Sequence, residues 1–328
     1  MTLLTARGLT VRFGGVTVVD GVDLDIEAGR TVALVGESGS GKSTLARALL
    51  GLVPLSAGTI TFDGRPLLGQ APRPDPAQRR VIQMVFQNPA AALNPRLTVG
   101  RIIEEPLLMA GGMGRTARRA RVAALLDQVG VPRQAAGRQP HLLSGGQRQR
   151  VCIARALAAE PRLVVADEAV SALDVSVQGQ ILNLFTTIQQ ALGTAYLFIS
   201  HDLSVVQHVA DHVLVMYAGQ IVEDARPEGF WRRPLHPYAR ALLAAAPVAD
   251  PAIMRSRRRE SLTLDAPPAP EGCAYRDRCP LTTERCIAER PMLRETDDGR
   301  RVACHHANAA DPPGHAAVIG MAQNDICI

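Results

Sequence analysis

Gly36-Glu37-Ser38-Gly39-Ser40-Gly41-Lys42-Ser43 is a complete G-x-x-x-x-G-K-S run, and Lys42 is the single lysine among 36 basic residues. An ammonium is a compact point charge on a flexible stem that can reach between β- and γ-phosphates, whereas the guanidinium used everywhere else in this chain is a planar fork. The glycines keep side chains away, so that backbone N–H groups can curl around phosphates, and Ser43 supplies a hydroxyl for Mg²⁺ with Thr44 beside it. On either side lies the context such a loop needs. Residues 31–35, Thr-Val-Ala-Leu-Val, read as a short buried strand, and residues 42–50 as a helix closed by Gly51. Phosphates would then lie at a helix N-terminus, where unpaired N–H groups favour anions. Residues 36–44 are therefore expected to bind a nucleoside triphosphate.

At 328 residues the chain suffices for one large or two smaller domains with a buried core. It contains no apolar segment of membrane-spanning length and no opening signal sequence, so a soluble cytosolic protein is expected. The net charge of +5 is spread among 31 acidic residues, which favours a solvated mixed surface over a nucleic-acid footprint.

Apolar runs alternate with helical patterns up to Phe230 and Trp231, as in a parallel α/β sheet with crossover helices. Three further strands are expected to end at polar residues: 81–86 before Gln87, 163–166 before Asp167 and Glu168, and 196–199 before Ser200 and His201. Ligands bind beyond the carboxyl ends of the strands in such sheets, so these residues should gather around Lys42. The stretch from about 88 to 139 lacks strand alternation and carries the amphipathic set Val122, Leu125, Leu126 and Val129, and a helical insertion over about 88–155 is expected. Beyond it come a helix-like run at 236–246, arginines at 255–259, a proline-rich loop at 266–270 and a cysteine-containing tail. The expected division is 1–228 for the nucleotide-binding domain, 229–306 for a C-terminal extension, and 307–328 for a flexible tail.

Two consecutive carboxylates at a strand end can divide their labour because adjacent side chains point in different directions. Asp167 can hold Mg²⁺ through water while Glu168 faces the attacking water, with the metal and Lys42 neutralising the charge that develops. Leu143-Ser144-Gly145-Gly146-Gln147 precedes a helix-like run, with Ser144 as its N-cap and the glycines leaving backbone donors exposed, which makes a second anion site. One triphosphate does not need two such sites on one subunit. Two subunits facing head to tail could complete each other's.

Together these residues resemble the ATP-binding cassette family over residues 3 to about 226, in the family's order and spacing. Residues 36–43 match its Walker A motif, Gln87 its Q-loop, residues 143–147 its signature, residues 163–168 its Walker B, Ser171-Ala172-Leu173-Asp174 its D-loop and His201 its switch histidine. The resemblance implies an α/β P-loop NTPase cassette: a RecA-like parallel core, an N-terminal antiparallel β portion and a helical subdomain insertion. It also implies that Phe13 stacks on adenine, that His201 holds the γ-phosphate and orients Glu168, and that Gln87 contacts Mg²⁺ or water and reports nucleotide state to a partner. Ser144, Gly145, Gly146, Gln147 and Asp174 would serve across the dimer interface. One departure stands out: Ala169-Val170 replace the family's usual Pro and Thr or Ser, which bears on the local turn.

Cys273, Cys279, Cys286 and Cys304 occur as C-x5-C-x6-C-x17-C, followed by His305 and His306. Stable disulfides are disfavoured in the cytosol, and four thiolates in a short segment with little core of its own look like a metal staple. Structural zinc usually takes cysteines two to four residues apart, and four thiolates can also hold a 4Fe-4S cluster, so cluster, zinc and unliganded thiols all stay open. Cys152 reads as a core residue of the helix after the signature and Cys327 as a tail thiol. Residues 272–280, Cys286, Pro291 and 302–305, with the run 236–243, resemble the C-terminal extension of oligopeptide and dipeptide permease ATPases. That resemblance implies a 4Fe-4S cluster on the four cysteines.

The expected function is therefore that of the ATP-hydrolysing subunit of a bacterial peptide importer. It would sit on the cytoplasmic face of the membrane with two transmembrane permeases and a second, identical or related cassette, served by an extracytoplasmic binding protein. The alternative is a soluble ATPase of the same family acting on nucleic acid or ribosomes. Such proteins normally carry two cassettes, long coiled coils or internal zinc modules, and this chain has one uninterrupted cassette.

Overall fold

The computed structural model describes residues 1–68, 80–246, 269 and 271–307. The arginines at 255–259, most of the proline-rich loop, the tail beyond residue 307 and Cys327 lie outside the described residues.

Strands β1 (Thr2–Phe13) and β2 (Val16–Glu27) pair antiparallel as a long hairpin. Strand β3 (Thr31–Val35) is buried along its whole length. Strands β4 (Ala57–Phe62) and β5 (Arg65–Leu68) join the hairpin in the order β2-β1-β4-β5. The second sheet places β3 at its centre. Strands β6 (Ile82–Val85), β7 (Leu163–Asp167), β8 (Ala195–Ser200) and β9 (His212–Tyr217) run parallel with it in the order β9-β3-β8-β7-β6. Strand β10 (Gln220–Ala225) pairs antiparallel with β9. The uninterrupted apolar reading of β3, β7 and β8 follows from this position, because a central parallel strand is covered on both faces.

Leu34 of β3, Leu45 and Leu49 of the helix Lys42–Leu49, and Leu4, Leu9 and Ile26 of the hairpin share one core, which fixes the phosphate loop between the two sheets. Residues 89–158 hold helices and no strand: Pro89–Ala92, Val99–Ala110, Arg115–Gln128 and Gly145–Ala158. Val122, Leu125, Leu126 and Val129 face their common core, as the amphipathic spacing requires. Cys152 is buried there too, its thiol pushed up to about 11 by burial.

The composition break near residue 231 is not a structural break. After the helices Pro227–Arg232 and Pro237–Ala245, the chain returns to the main sheet. Strands β11 (Arg294–Glu295) and β12 (Arg301–Val302) form a small hairpin, and β12 pairs with β10 through Glu223 opposite Val302 and Asp224 opposite Arg301. The expectation of a segment with little core needs correcting. Tyr275 is buried and joins Tyr217, Phe230 and Tyr238 in one cluster, with Cys273 and Cys279 packed against it. Sequence separation hid this core, since its members come from both sides of the compositional break.

Candidate nucleotide site

The loop between β3 and the helix Lys42–Leu49 is pressed against neighbouring backbone. A Cβ on Gly36 (φ 155°) would stand 2.2 Å from the Met216 carbonyl oxygen, and one on Gly41 (φ 104°) 2.6 Å from that of Val18. Only glycine fits at either position. Lys42 Nζ lies along the loop, donating to the carbonyls of Gly36 (2.8 Å) and Glu37 (2.6 Å) and to Ser40 Oγ (3.3 Å). Burial lowers the Lys42 pKa, opposed by the charges of Glu168, Asp167 and Glu37.

The two carboxylates at the end of β7 do point apart. Asp167 Oδ1 accepts a hydrogen bond from Ser43 Oγ at 3.0 Å. Burial raises the Asp167 pKa, and the Ser43 bond partly offsets it. Glu168 Oε2 accepts from Gln87 Nε2 at 2.5 Å, and Glu168 Oε1 lies 3.2 Å from His201 Nδ1. Strands β3, β6, β7 and β8 thus deliver Lys42, Gln87, the carboxylate pair and His201 to one edge of the sheet. That edge is the carboxyl end of parallel strands, where ligands bind in open α/β folds.

Glu168 has φ 46°, in the left-handed region that non-glycine residues rarely adopt. Ser171 secures the turn by donating its backbone N–H (3.2 Å) and hydroxyl (3.0 Å) to the Glu168 carbonyl. Ala169 and Val170 are buried in the helical-side core. The departure from the family pattern at these positions therefore leaves a closed, packed turn.

Ser144 caps the helix Gly145–Ala158 in a reciprocal capping box: Ser144 Oγ accepts from Gln147 N (3.3 Å) and Gln147 Oε1 from Ser144 N (3.2 Å). A Cβ on Gly146 would meet Val177 Cγ1 at 2.8 Å. Ser144, Gly145 and Asp174 are exposed, as are the apolar side chains of Leu142 and Val175 beside them. Phe13 is 48% exposed at the end of β1.

Two residues at this site were not singled out from sequence. Tyr238 Oη accepts the Glu37 N–H at 2.7 Å, and Arg278 grips the Glu37 carboxylate. Neither carries a local signal, because each is brought to the loop by the fold of the C-terminal segment.

Comparison with known proteins places this geometry. Residues 19–171 match the family model described as ABC transporter, and residues 222–286 match that of the oligopeptide/dipeptide transporter C-terminal region. A di/tripeptide transport ATP-binding protein of Pseudomonas aeruginosa is 47% identical over 93% of this chain and 98% of its own length. The chain belongs to the ATP-binding cassette transporter ATPases. A dipeptide transport ATP-binding protein of Haemophilus influenzae is 44% identical to this cassette over 92% of both chains. A probable peptide ABC transporter ATP-binding protein of Sinorhizobium fredii is 50% identical over 88% of this chain and 82% of the other. Among solved structures, the cassette resembles cbiO1 of Clostridium perfringens, with TM-score 0.63 and 28% identity over 69% of this chain and 89% of that one. It also resembles a dimeric cassette in a post-hydrolysis state bound to ADP and Pi, with TM-score 0.62 and 29% identity over 69% of this chain and 99% of that one. The cassette is an α/β ATPase, and among its described residues no helix is long and apolar enough to cross a membrane.

The four cysteines of the C-terminal segment are all unpaired, and Cys273, Cys279 and Cys286 fall within the matched C-terminal region while Cys304 lies beyond it. The Cys273 N–H donates to the Cys286 carbonyl at 2.8 Å, and the His306 N–H to Cys304 Sγ at 3.4 Å. Burial raises the thiols of Cys273, Cys279 and Cys304, the last to about 11, and neighbouring cysteines raise each of the three further. The donor set is soft and partly sheltered, the donor chemistry a thiolate-bound metal or cluster needs, although burial by itself favours the protonated thiols. Among the described residues, however, no three His, Cys, Asp or Glu side chains stand in metal-holding arrangement.

Proposed function

We propose that this cassette drives peptide import: it hydrolyses ATP at a dimer interface and transmits closure to two transmembrane permeases from the cytoplasmic face of the membrane. The observation that carries the reading is the convergence of Ser43 with Asp167, and of Gln87 and His201 with Glu168, at the strand ends beside the phosphate loop. In this reading residues 36–44 cradle the phosphates. Ser43, Gln87 and Asp167 hold Mg²⁺, and Phe13 stacks on adenine. Glu168 polarises the attacking water, with His201 and Gln87 orienting it. Ser144, Gly145, Gly146, Gln147 and Asp174 face the partner cassette, and the exposure of Ser144, Gly145 and Asp174 in the single chain supports that role. Peptide cargo is supported by the naming of the relatives as di/tripeptide, dipeptide and peptide transport proteins.

The functional division is placed at 228/229, with a cassette carrying a helical insertion over about 88–155 and an extension over 229–306. In the extension, Cys273, Cys279, Cys286 and Cys304 would hold a 4Fe-4S cluster, with zinc as the alternative occupant. Such a group would supply a covalent cross-link between loops that otherwise meet through few backbone hydrogen bonds.

Purifying the native membrane complex through a tag on this chain and identifying its components tests the function. Two integral membrane subunits should co-purify, and vesicles containing the complex should take up di- or oligopeptides only with ATP. Recovery with ribosomes or nucleic acid and without membrane subunits would overturn the importer reading.

A further inference from the structure

Arg278 lies between Cys273 and Cys286 in the extension, yet its charge is spent on the phosphate loop. Its Nη2 and Nη1 donate to Glu37 Oε1 (2.7 Å) and Oε2 (3.0 Å), a two-bond fork across 241 residues of sequence. The side chain is only 4% exposed, set over the rings of Tyr217 and Tyr275 at 5.6 Å and 5.4 Å. A guanidinium so enclosed requires a partner, and the fork geometry is one a lysine cannot supply. The adjacent Asp277 pairs instead with Arg276.

Glu37 is held through each of its polar groups. Its N–H donates to Tyr238 Oη, its carbonyl accepts from Lys42 Nζ (2.6 Å) and Ser40 N (3.2 Å), and its carboxylate receives Arg278. Tyr238 and Arg278 are themselves joined: Tyr217, Tyr238 and Tyr275 stack against one another at 4.6, 5.2 and 5.4 Å between ring centres. The peptide carrying Arg278 is fixed in turn by the 3-10 turn Arg276–Arg278 and by the Cys273 N–H bond to the Cys286 carbonyl. Gly272 (φ 64°) permits that crossing, since a Cβ there would stand 2.3 Å from the Ile287 carbonyl oxygen.

A carboxylate inside a loop that receives triphosphate is electrostatically adverse, because the two anions repel at short range in a partly desolvated site. Arg278 cancels that charge and locks the side chain. We propose that the C-terminal extension is a working part of the nucleotide site, with Arg278 and Tyr238 as positioning residues that neutralise and orient Glu37, so that nucleotide binding and order in the cysteine segment are linked. The inference rests on residues 36–44 being the nucleotide site. Linkage is reciprocal: whatever disorders the cysteine segment weakens nucleotide binding, and nucleotide orders the segment.

The test uses the full chain and measures the Kd for MgATP by titration calorimetry at low ionic strength, with Tm recorded for every variant. Arg278→Gln should raise Kd by about tenfold or more, and adding Glu37→Gln to that variant should recover most of the loss because the uncompensated carboxylate is gone. Tyr238→Phe keeps the ring stack, removes one acceptor, and should raise Kd by about threefold at unchanged Tm. In the unaltered protein, MgATP should slow hydrogen exchange at the amides of Cys273, Arg278 and Cys279, and in Arg278→Gln it should not. A Kd for folded Arg278→Gln within twofold of the parent, or equal losses with and without Glu37, overturns the proposal. Should Arg278→Gln fail to fold, Tyr238→Phe decides, and an unchanged Kd overturns it. Lys42→Ala separates the two readings: if it binds MgATP as the parent does, the nucleotide assignment itself falls.

Discussion

Glu168 and His201 face each other across the ends of adjacent strands β7 and β8, with Oε1 3.2 Å from Nδ1, while Gln87 from β6 holds the other carboxylate oxygen. A carboxylate gripped on both oxygens is oriented before any substrate arrives, and its left-handed backbone is kept by the Ser171 turn. Glu168→Gln preserves the shape and removes the charge that polarises water. ATP binding should persist and turnover should fall on the order of 10²-fold or more, with a closed dimer accumulating. Phosphate release by the assembled transporter measures it, and near-normal hydrolysis would exclude Glu168 as the principal carboxylate.

Ser144 is exposed and its hydroxyl already caps its own helix. Ser144→Arg places a bulky cation where a partner's triphosphate would dock, and removes a cap worth about 1 kcal/mol to the helix. Nucleotide binding to the monomer should survive, whereas dimer-dependent hydrolysis should be lost. Mixing Ser144→Arg with Lys42→Ala should restore at most one composite site per dimer. Hydrolysis that is linear in protein concentration and indifferent to Ser144→Arg would count against a head-to-tail pair.

Glu223 and His236 should titrate against one another. Burial pushes Glu223 from 4.5 up to about 7, although its carboxylate accepts N–H bonds from Leu235 and His236. Burial, with the Arg240 charge, pushes His236 from 6.5 down to about 3, and His236 Nδ1 must stay unprotonated to accept the Tyr238 N–H. The raised Glu223 contributes stability that is full below pH 4.5 and lost as pH rises through 7, while the depressed His236 contributes stability that is full above pH 6.5 and lost as pH falls toward 3. Between pH 4.5 and 6.5 folded and unfolded chains each carry one proton on this pair, so the slopes cancel. Below that window the unfolded chain gains a second proton, and stability should fall by up to about 1.4 kcal/mol per pH unit. Glu223→Gln removes the compensation, so acid destabilisation should begin near pH 6.5. Melting curves across the acid range check it, and an identical onset in both proteins would refute the pairing.

The cysteine segment should yield a broad visible absorption and about four irons per chain when the protein is purified without oxygen. Cys279→Ser should abolish that absorption and loosen residues 271–306, while ATP binding should weaken only as far as Arg278 loses its hold on Glu37. Zinc in place of iron would refute the cluster and leave a metal staple. Absence of both metals would refute the staple as well.

Much of the candidate site was legible because its motifs are local. A phosphate loop, a strand ending in two carboxylates and a capped glycine turn each need only a few consecutive residues, and hydrophobic periodicity sets the strands that carry them. The helical character of residues 89–158 was readable for the same reason: Val122, Leu125, Leu126 and Val129 recur at helical spacing and are buried as that spacing implies.

The extension was harder to read, because its structure is made by contacts distant in sequence. Residues 301–302 complete an edge of the main sheet opposite Glu223 and Asp224, and Tyr275 fills a core built from Tyr217 and Tyr238. Composition registers a change of residue types near 231 and cannot register which surfaces those residues cover.

From its residues alone, the chain determined that it is a P-loop cassette, which strand ends carry polar groups, and where cysteines cluster. Only the tertiary structure decided that Glu37 belongs to Arg278 and Tyr238, and that Glu223 supports the turn before His236. The physical reason is that a short motif fixes backbone shape through neighbouring dihedrals, whereas a buried charge finds its partner through the packing of whole segments, and that partner has no fixed spacing to read.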